Sequence, residues 1–267
     1  MARPILFLTD YGLADEFVGV CHAVIARLAP DARVIDLTHG IPAGDVLAGA
    51  VALEAAVPYA PTRSVFLAVV DPGVGTERRA VAVEAGSAAL VGPDNGLLDL
   101  AARRLGGARR SAEIDPSAVA PGGVSATFHG RDLFGPAAAL LARGGRVEDL
   151  GPEVDPSSLT GLTIPEATVT EGRLEATVIG IDRFGNVRLA ARPPDLDAAG
   201  LGGSMTLGRR TVRRVRAFAD LAPEEIGVLE DSGGWLALVR NGSTAAETLG
   251  LGPYDRVVLT GEVGGVG

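Results

Sequence analysis

The chain of 267 residues has no lysine and no glutamine, so all 24 of its basic residues are arginine. Without lysine, Schiff-base catalysis and the phosphate-gripping lysine of a P-loop are excluded. A single cysteine, Cys21, rules out an intramolecular disulfide and argues against a secreted disulfide scaffold or a zinc finger. Aromatic residues make up only 4%, and no apolar run approaches the roughly 18 residues of a membrane span. No signal-peptide architecture precedes Asp10, so the expected compartment is the cytoplasm. Acidic residues outnumber basic ones 33 to 24, giving a net charge of −9, with no basic stripe to meet phosphates. Nucleic acid is therefore not an expected partner.

What is present is globular in character. Hydrophobic residues are 47% and charged residues 21%, and the length fits one large domain or two ordinary ones. Asparagine is reduced to Asn95, Asn186 and Asn241, and histidine to His22, His39 and His129. In a background of Ala, Gly, Arg, Val and Leu, a surviving amide is a candidate for a needed hydrogen bond.

The first half alternates strand and helix patterns. Residues 4–9 form a short apolar run that ends in the turn Thr9-Asp10-Tyr11-Gly12. From Asp15 to Leu28 the apolar positions follow a helical period, with Asp15 placed as an N-cap. Strands are expected at 33–38, 64–70, 79–84 and 88–91, and helices at 44–57, 97–105 and 131–143. This order predicts an α/β domain with a largely parallel sheet sandwiched by helices. Residues 1–155 form that domain, 156–168 a Pro/Ser/Thr/Gly-rich linker. Residues 169–267 carry strand patterns at 173–181, 186–190, 226–230, 235–240 and 254–260, with a hairpin signal at Asp231-Ser232-Gly233-Gly234. They predict a small β-barrel domain.

Ligands of open α/β sheets bind at the carboxyl ends of strands, and several polar clusters fall there. Asp10, with Asp15 nearby, follows the first strand; a carboxylate there can hold a ribose diol or a cation, or serve only as a turn and cap residue. Asp71 ends an apolar strand and enters Pro72-Gly73-Val74-Gly75-Thr76-Glu77-Arg78-Arg79, whose Pro and Gly residues fix an unusual backbone path. Arg78 can fold back toward Asp71, as a catalytic pair or a structural one. His129 lies between Phe128 and Gly130 at an expected strand-to-helix junction, a better functional position than those of His22 and His39. Asp94-Asn95-Gly96 reads as an ordinary turn. In the second half, Asp182-Arg183-Phe184-Gly185-Asn186 joins an acid, an aromatic and an amide, a set suited to a purine. Arg240-Asn241-Gly242-Ser243 holds the third asparagine. With no His-x-x-x-His or Cys-x-x-Cys, no metal site is expected, and without Gly-x-Ser-x-Gly no serine hydrolase.

Taken together, TDYG with Asp15, VVDPGVGTERR, VGPDNG, TFHGRD, DRFGN and the segment from Asp231 to Ser243 resemble the S-adenosyl-L-methionine (SAM) hydrolases, or SAM hydroxide adenosyltransferases, relatives of the fluorinases and chlorinases. The resemblance implies an α/β domain followed by a β-barrel. It also implies a homotrimer, with each site between the first domain of one subunit and the second of its neighbour. It assigns Asp10 to the ribose diol, and Phe184 and Asn186 to adenine, with Asn241 and Gly242 nearby. Asp15, Asp182 and Ser232 match positions that hold the methionine ammonium and carboxylate, and Phe218 a pocket wall. Gly233 stands where some relatives have Arg or an aromatic, so a backbone amide or Arg240 would hold the carboxylate instead. Asp71, Arg78 and His129 match the set that the hydrolases use for water.

The implied reaction gives adenosine and L-methionine, with SAM as substrate and no cofactor or metal. Methionine leaves a sulfonium as a neutral thioether, so the task is to aim one nucleophile and to accept its proton. In the halide branch, Tyr replaces the acid and Tyr-Ser replaces His-Gly. A carboxylate about 4 Å from a halide costs on the order of 4 kcal/mol at an effective dielectric near 20, so Asp71 and Gly130 are expected to select water. The alternatives are a halogenase of the same fold and a SAM- or adenosine-binding protein without turnover.

Overall fold

The structure is a computed structural model that describes residues 2–120 and 122–261. The chain divides into two units, Met1–Leu162 and Thr163–Gly267.

In the first unit, seven strands form one sheet: Ile5–Thr9 (β1), Val34–Thr38 (β2), Val65–Val69 (β3), Ala80–Ala85 (β4), Ala88–Pro93 (β5), Ala108–Glu113 (β6) and Glu153–Val154 (β7). Their order is β2-β1-β3-β5-β4-β6-β7. β2, β1, β3 and β5 pair in parallel, with Ile5 opposite both Val34 and Val65. β4 is antiparallel to β5 and to β6, so β6 runs with the parallel group, and β7 turns back beside it. The helices are Phe17–Leu28 (α1), Val46–Ala56 (α2), Asp99–Arg104 (α3), Pro116–Val119 (α4) and Gly135–Ala142 (α5).

β1 and β3 are buried along their whole length. Strands covered on both faces read as unbroken apolar runs, not as alternation. Ile5, Phe7, Val65, Leu67 and Val69 join Val18, Cys21 and Ile25 of α1 and Ala137, Ala138 and Leu141 of α5 in one core. On the other face, an added Cβ at Gly49 of α2 would come within 3.0 Å of Val70 and 2.8 Å of Leu97.

Some expected boundaries shift for local reasons. Asp15 does not cap α1; Glu16 holds that position, without a side-chain bond. α2 is capped by Asp45, which accepts from Ala48 N at 2.9 Å. Just ahead of the expected linker, β7 pairs with β6.

In the second unit the strands are Thr168–Thr170 (β8), Arg173–Ile181 (β9), Val187–Leu189 (β10), Ser204–Leu207 (β11), Arg210–Arg214 (β12), Ile226–Glu230 (β13), Leu236–Arg240 (β14) and Arg256–Gly261 (β15). The order β10-β14-β13-β12-β11-β15-β9 closes on itself because β10 also pairs with β9. The result is a closed seven-stranded barrel, with β8 beside β9. Pro193–Ala198 (α6) and Ala245–Leu249 (α7) are its short helices. The arginine-rich hairpin of β11 and β12 is absent from the sequence expectations; Met205 and Val212, its inward pair, are fully buried.

Candidate active site

The loop that leaves β3 carries the first cluster. Val74 N donates back to Asp71 O at 3.3 Å, and Thr76 N and Oγ1 both donate to Gly73 O, at 3.1 and 2.6 Å. This folding returns Arg78 onto Asp71. Arg78 Nε donates to Asp71 Oδ1 at 2.9 Å, and Nη2 donates to Oδ2. Their side chains are only 11% and 6% exposed, so the planar fork holds a partly dry carboxylate bidentately.

The same Arg78 Nη2 lies 2.8 Å from His129 Nδ1. A guanidinium can only donate, so Nδ1 accepts and a neutral ring carries its proton on Nε2. Burial first, and then the Arg78 cation, lower the His129 pKa below its ordinary 6.5; Asp71 and Asp132 act weakly the other way. The Phe134 ring supports both partners: Arg78 Cζ is 5.1 Å from its centroid, and His129 meets it edge-on at 6.4 Å.

Backbone approach brings the two loops together. Gly75 has φ +77°, and an added Cβ would stand 2.6 Å from Ala126 O, so no side chain fits there. No strand precedes His129, contrary to expectation. Residues 122–128 are irregular, and His129 caps a π-helical turn, Gly130–Phe134, that leads into α5. Asp132 anchors the irregular run by accepting from Ser125 N at 2.9 Å. π turns recur at functional sites.

Gly130 has a packing reason for being glycine beside the expected one. An added Cβ would lie 2.2 Å from the Tyr11 hydroxyl. Tyr11 stands edge-on to Phe128 at 5.8 Å, and burial first, then Cys21 and the Asp10 and Asp71 carboxylates, push its pKa well up. The phenol therefore fills the volume beside Gly130. The like-charge argument against halide also changes form. Asp71 is paired with Arg78, whose Nε and Nη2 are engaged by Asp71 and His129, so the carboxylate does not stand as an isolated negative charge.

Asp10 Oδ2 accepts from Gly44 N at 2.8 Å, which fixes the carboxylate at the end of β1. Asp15 is exposed. Asn95, read as an ordinary turn residue, donates Nδ2 to Val70 O at 2.9 Å and accepts from Leu97 N at 3.1 Å. It thereby pins the peptide just ahead of Asp71. Its signal in the sequence is the rarity of asparagine.

In the second unit, Asp182 serves its own turn. It accepts from Phe184 N at 2.9 Å, Asn186 N at 3.0 Å and Asn186 Nδ2 at 2.8 Å. Phe184 is left 71% exposed. Gly185 has φ +78° and touches Thr244, which joins this turn to the loop from Arg240. Arg240 is committed to Glu224 and Ser243 and donates to Thr248 Oγ1 at 2.8 Å. Asn241 Nδ2 donates to Leu221 O at 2.7 Å, and Gly242 has φ +92°. The structure thus brings Asp182, Phe184, Asn186, Asn241 and Gly242 to one end of the barrel, while Phe218 is half-exposed on a short turn of its own. Ser232 is exposed and lines a cavity of about 330 Å³ with Arg214 and Arg216, cations that the sequence reading missed.

Comparison with known proteins agrees with this division. The SAM hydroxide adenosyltransferase N-terminal domain matches residues 5–151 and the corresponding C-terminal domain residues 176–258. An (R)-S-adenosyl-L-methionine hydrolase of Salinispora tropica is 51% identical over 256 residues, covering 96% of this chain and 97% of that protein. A fluorinase of Actinopolyspora mzabensis is 29% identical, covering 92% and 93%. The crystal structure of an uncharacterized conserved protein from Thermotoga maritima superposes with a TM-score of 0.86 at 32% identity, covering 96% and 99%.

Proposed function

The chain belongs to the SAM hydroxide adenosyltransferase family, and from that premise we propose that it is an S-adenosyl-L-methionine hydrolase. Water displaces L-methionine at the ribose 5′ carbon, giving adenosine. The Asp71–Arg78–His129 relay carries this reading.

The bonds already made assign the roles. His129 Nδ1 is occupied by Arg78, so the ring offers an Nε2–H donor to the water oxygen. Each oxygen of Asp71 keeps a lone pair beyond its bond to Arg78, so Asp71 accepts the proton. The oxygen forms its bond to the 5′ carbon while the carbon–sulfur bond breaks, and that electron pair stays on sulfur as the neutral thioether. The proton passes through Asp71 to solvent. No step calls on a cofactor or a metal ion. Asp10 holds the ribose diol, Phe184 stacks on adenine with Asn186 and Asn241 beside it, and Asp15, Asp182 and Ser232 hold the amino acid end. Arg240, already engaged with Glu224, and Arg214, paired with Asp197, give way to Arg216 for the carboxylate. We extend the reading to a cytoplasmic homotrimer, for which light scattering on the purified protein is the check. No helix among the described residues is long and apolar enough to cross a membrane.

The test is incubation with SAM in H₂¹⁸O. One ¹⁸O in the adenosine 5′-hydroxyl, with methionine in equal amount, is the expected result. Binding without turnover refutes the enzyme, and a 5′-chloro nucleoside formed in chloride assigns the halogenase.

A further inference from the structure

The two histidines that the relay does not use meet each other. His22 projects from α1, and His39 follows Asp36 and β2. His22 Nε2 lies 2.8 Å from Asp36 Oδ1, and His39 Nε2 lies 3.1 Å from the same oxygen. The three donor atoms are all within 4.8 Å of one another.

The His39 side chain is 3% exposed, and its Nδ1 is 2.8 Å from Thr9 Oγ1. Its Nε2 is buried and makes no hydrogen bond among the described residues. The Asp36 oxygen is near enough but off the line that a ring N–H needs. Buried polar atoms are almost always partnered. A lone pair on Nε2 facing a carboxylate is repulsive unless a proton or a cation stands between them.

We propose that His22, Asp36 and His39 bind one divalent transition-metal ion, of which Zn²⁺ is the reference. Two imidazoles and one carboxylate suit zinc, cobalt or nickel better than calcium or magnesium. A tetrahedral zinc holds its donors about 2 Å away and about 3.3 Å apart, so the cluster closes on an ion when half-exposed Asp36 moves outward and the half-exposed His22 ring swings toward His39. Thr9 fixes the far nitrogen of His39, the support that metal-bound imidazoles usually have. The Phe7 ring sits edge-on to both imidazoles, at 5.8 Å from His22 and 4.8 Å from His39. His22 is 34% and Asp36 45% exposed at the side chain, which leaves the fourth position to water.

The ion would act as a clamp. It would join α1 to β2 and, through Thr9 and the bond from Gly12 N to His39 O at 2.7 Å, stiffen the turn that carries Asp10. It would take no part in the chemistry at Asp71.

Full-length protein stripped with EDTA and desalted is titrated with ZnCl₂ by calorimetry and melted with and without the ion. One equivalent binds, and Tm rises by about 5–10 °C at roughly 100 times Kd. Co²⁺ in its place gives the visible bands of a tetrahedral site. His22→Ala and Asp36→Asn, both at half-exposed positions, fold and lose the Tm rise and the bands, whereas His129→Ala keeps them. No heat and no Tm change on adding Zn²⁺ overturns the proposal. So does a rise that survives both His22→Ala and Asp36→Asn, or one that His129→Ala abolishes.

Discussion

The polar residues of the two units are held in opposite ways. In the first unit, Asp71, Arg78 and His129 are satisfied by one another, across 58 positions of sequence from Asp71 to His129. In the barrel, Asp182 is satisfied by its own turn and Arg240 by its own neighbourhood, leaving an exposed aromatic and a cavity edge. A cluster bonded across the fold fixes reacting geometry in advance, which is where electrostatic catalysis gains most. Turns bonded within themselves present a shape for recognition and leave the chemistry alone. Substitutions in the first set should therefore act on kcat, and those in the second on KM.

The strongest break in that contrast is Arg78→Ala, which unpairs both partners at once. A fall in kcat of about 10³-fold is expected, with KM within about threefold, and steady-state assay of adenosine measures both. Phe184→Ala should show the reverse: KM up by roughly 10–100-fold for the loss of 1.4–2.8 kcal/mol of stacking, with kcat retained. A KM effect from Arg78 or a kcat effect from Phe184 would erase the distinction.

The pH profile sharpens the comparison. His129 is neutral in the fold, its pKa lowered from 6.5 chiefly by burial and next by Arg78. kcat should be flat above pH 6.5 and fall as the ring protonates below its lowered pKa, because a charged ring cannot accept from Arg78. The unfolded chain takes up that proton near pH 6.5 and the fold only lower, so stability is complete above 6.5 and declines beneath it. Stopped assays and thermal melts from pH 5 to 8 test both; a stability loss that His129→Ala leaves unchanged assigns it to other groups. The smallest effect expected is that of Asn95→Ala. It leaves the Val70 carbonyl without its amide, costing about 1–2 kcal/mol and lowering kcat several-fold with little change in KM.

Much of this was legible in the sequence. β1 and β3 showed themselves as unbroken apolar runs because both their faces are buried. The Pro and Gly residues after Asp71 announced a special backbone path, and Arg78 does return along it. What escaped is what only folding brings together. The β11–β12 hairpin hid behind the arginines that crowd around its two buried positions, Met205 and Val212. The meeting of His22 with His39 depends on α1 lying beside β2, which no local spacing encodes. Gly130 also makes room for the Tyr11 hydroxyl, 119 positions earlier, a contact that no local pattern announces. Asn95 looked like a turn because it is one, and its second bond to Val70 is invisible without the sheet.

The closure of the barrel has a consequence for how the protein is made. β9 pairs with β15 in a register that sets Arg173 against Thr260, so the ring stays open until the last described strand has been synthesised. The central pairs of the first sheet are complete by Pro93. During translation the relay's half of the molecule can mature while the other half is still an open ribbon with unpaired rims. Ribosomes stalled before residue 256 should carry a protease-resistant first unit and a cleavable second one.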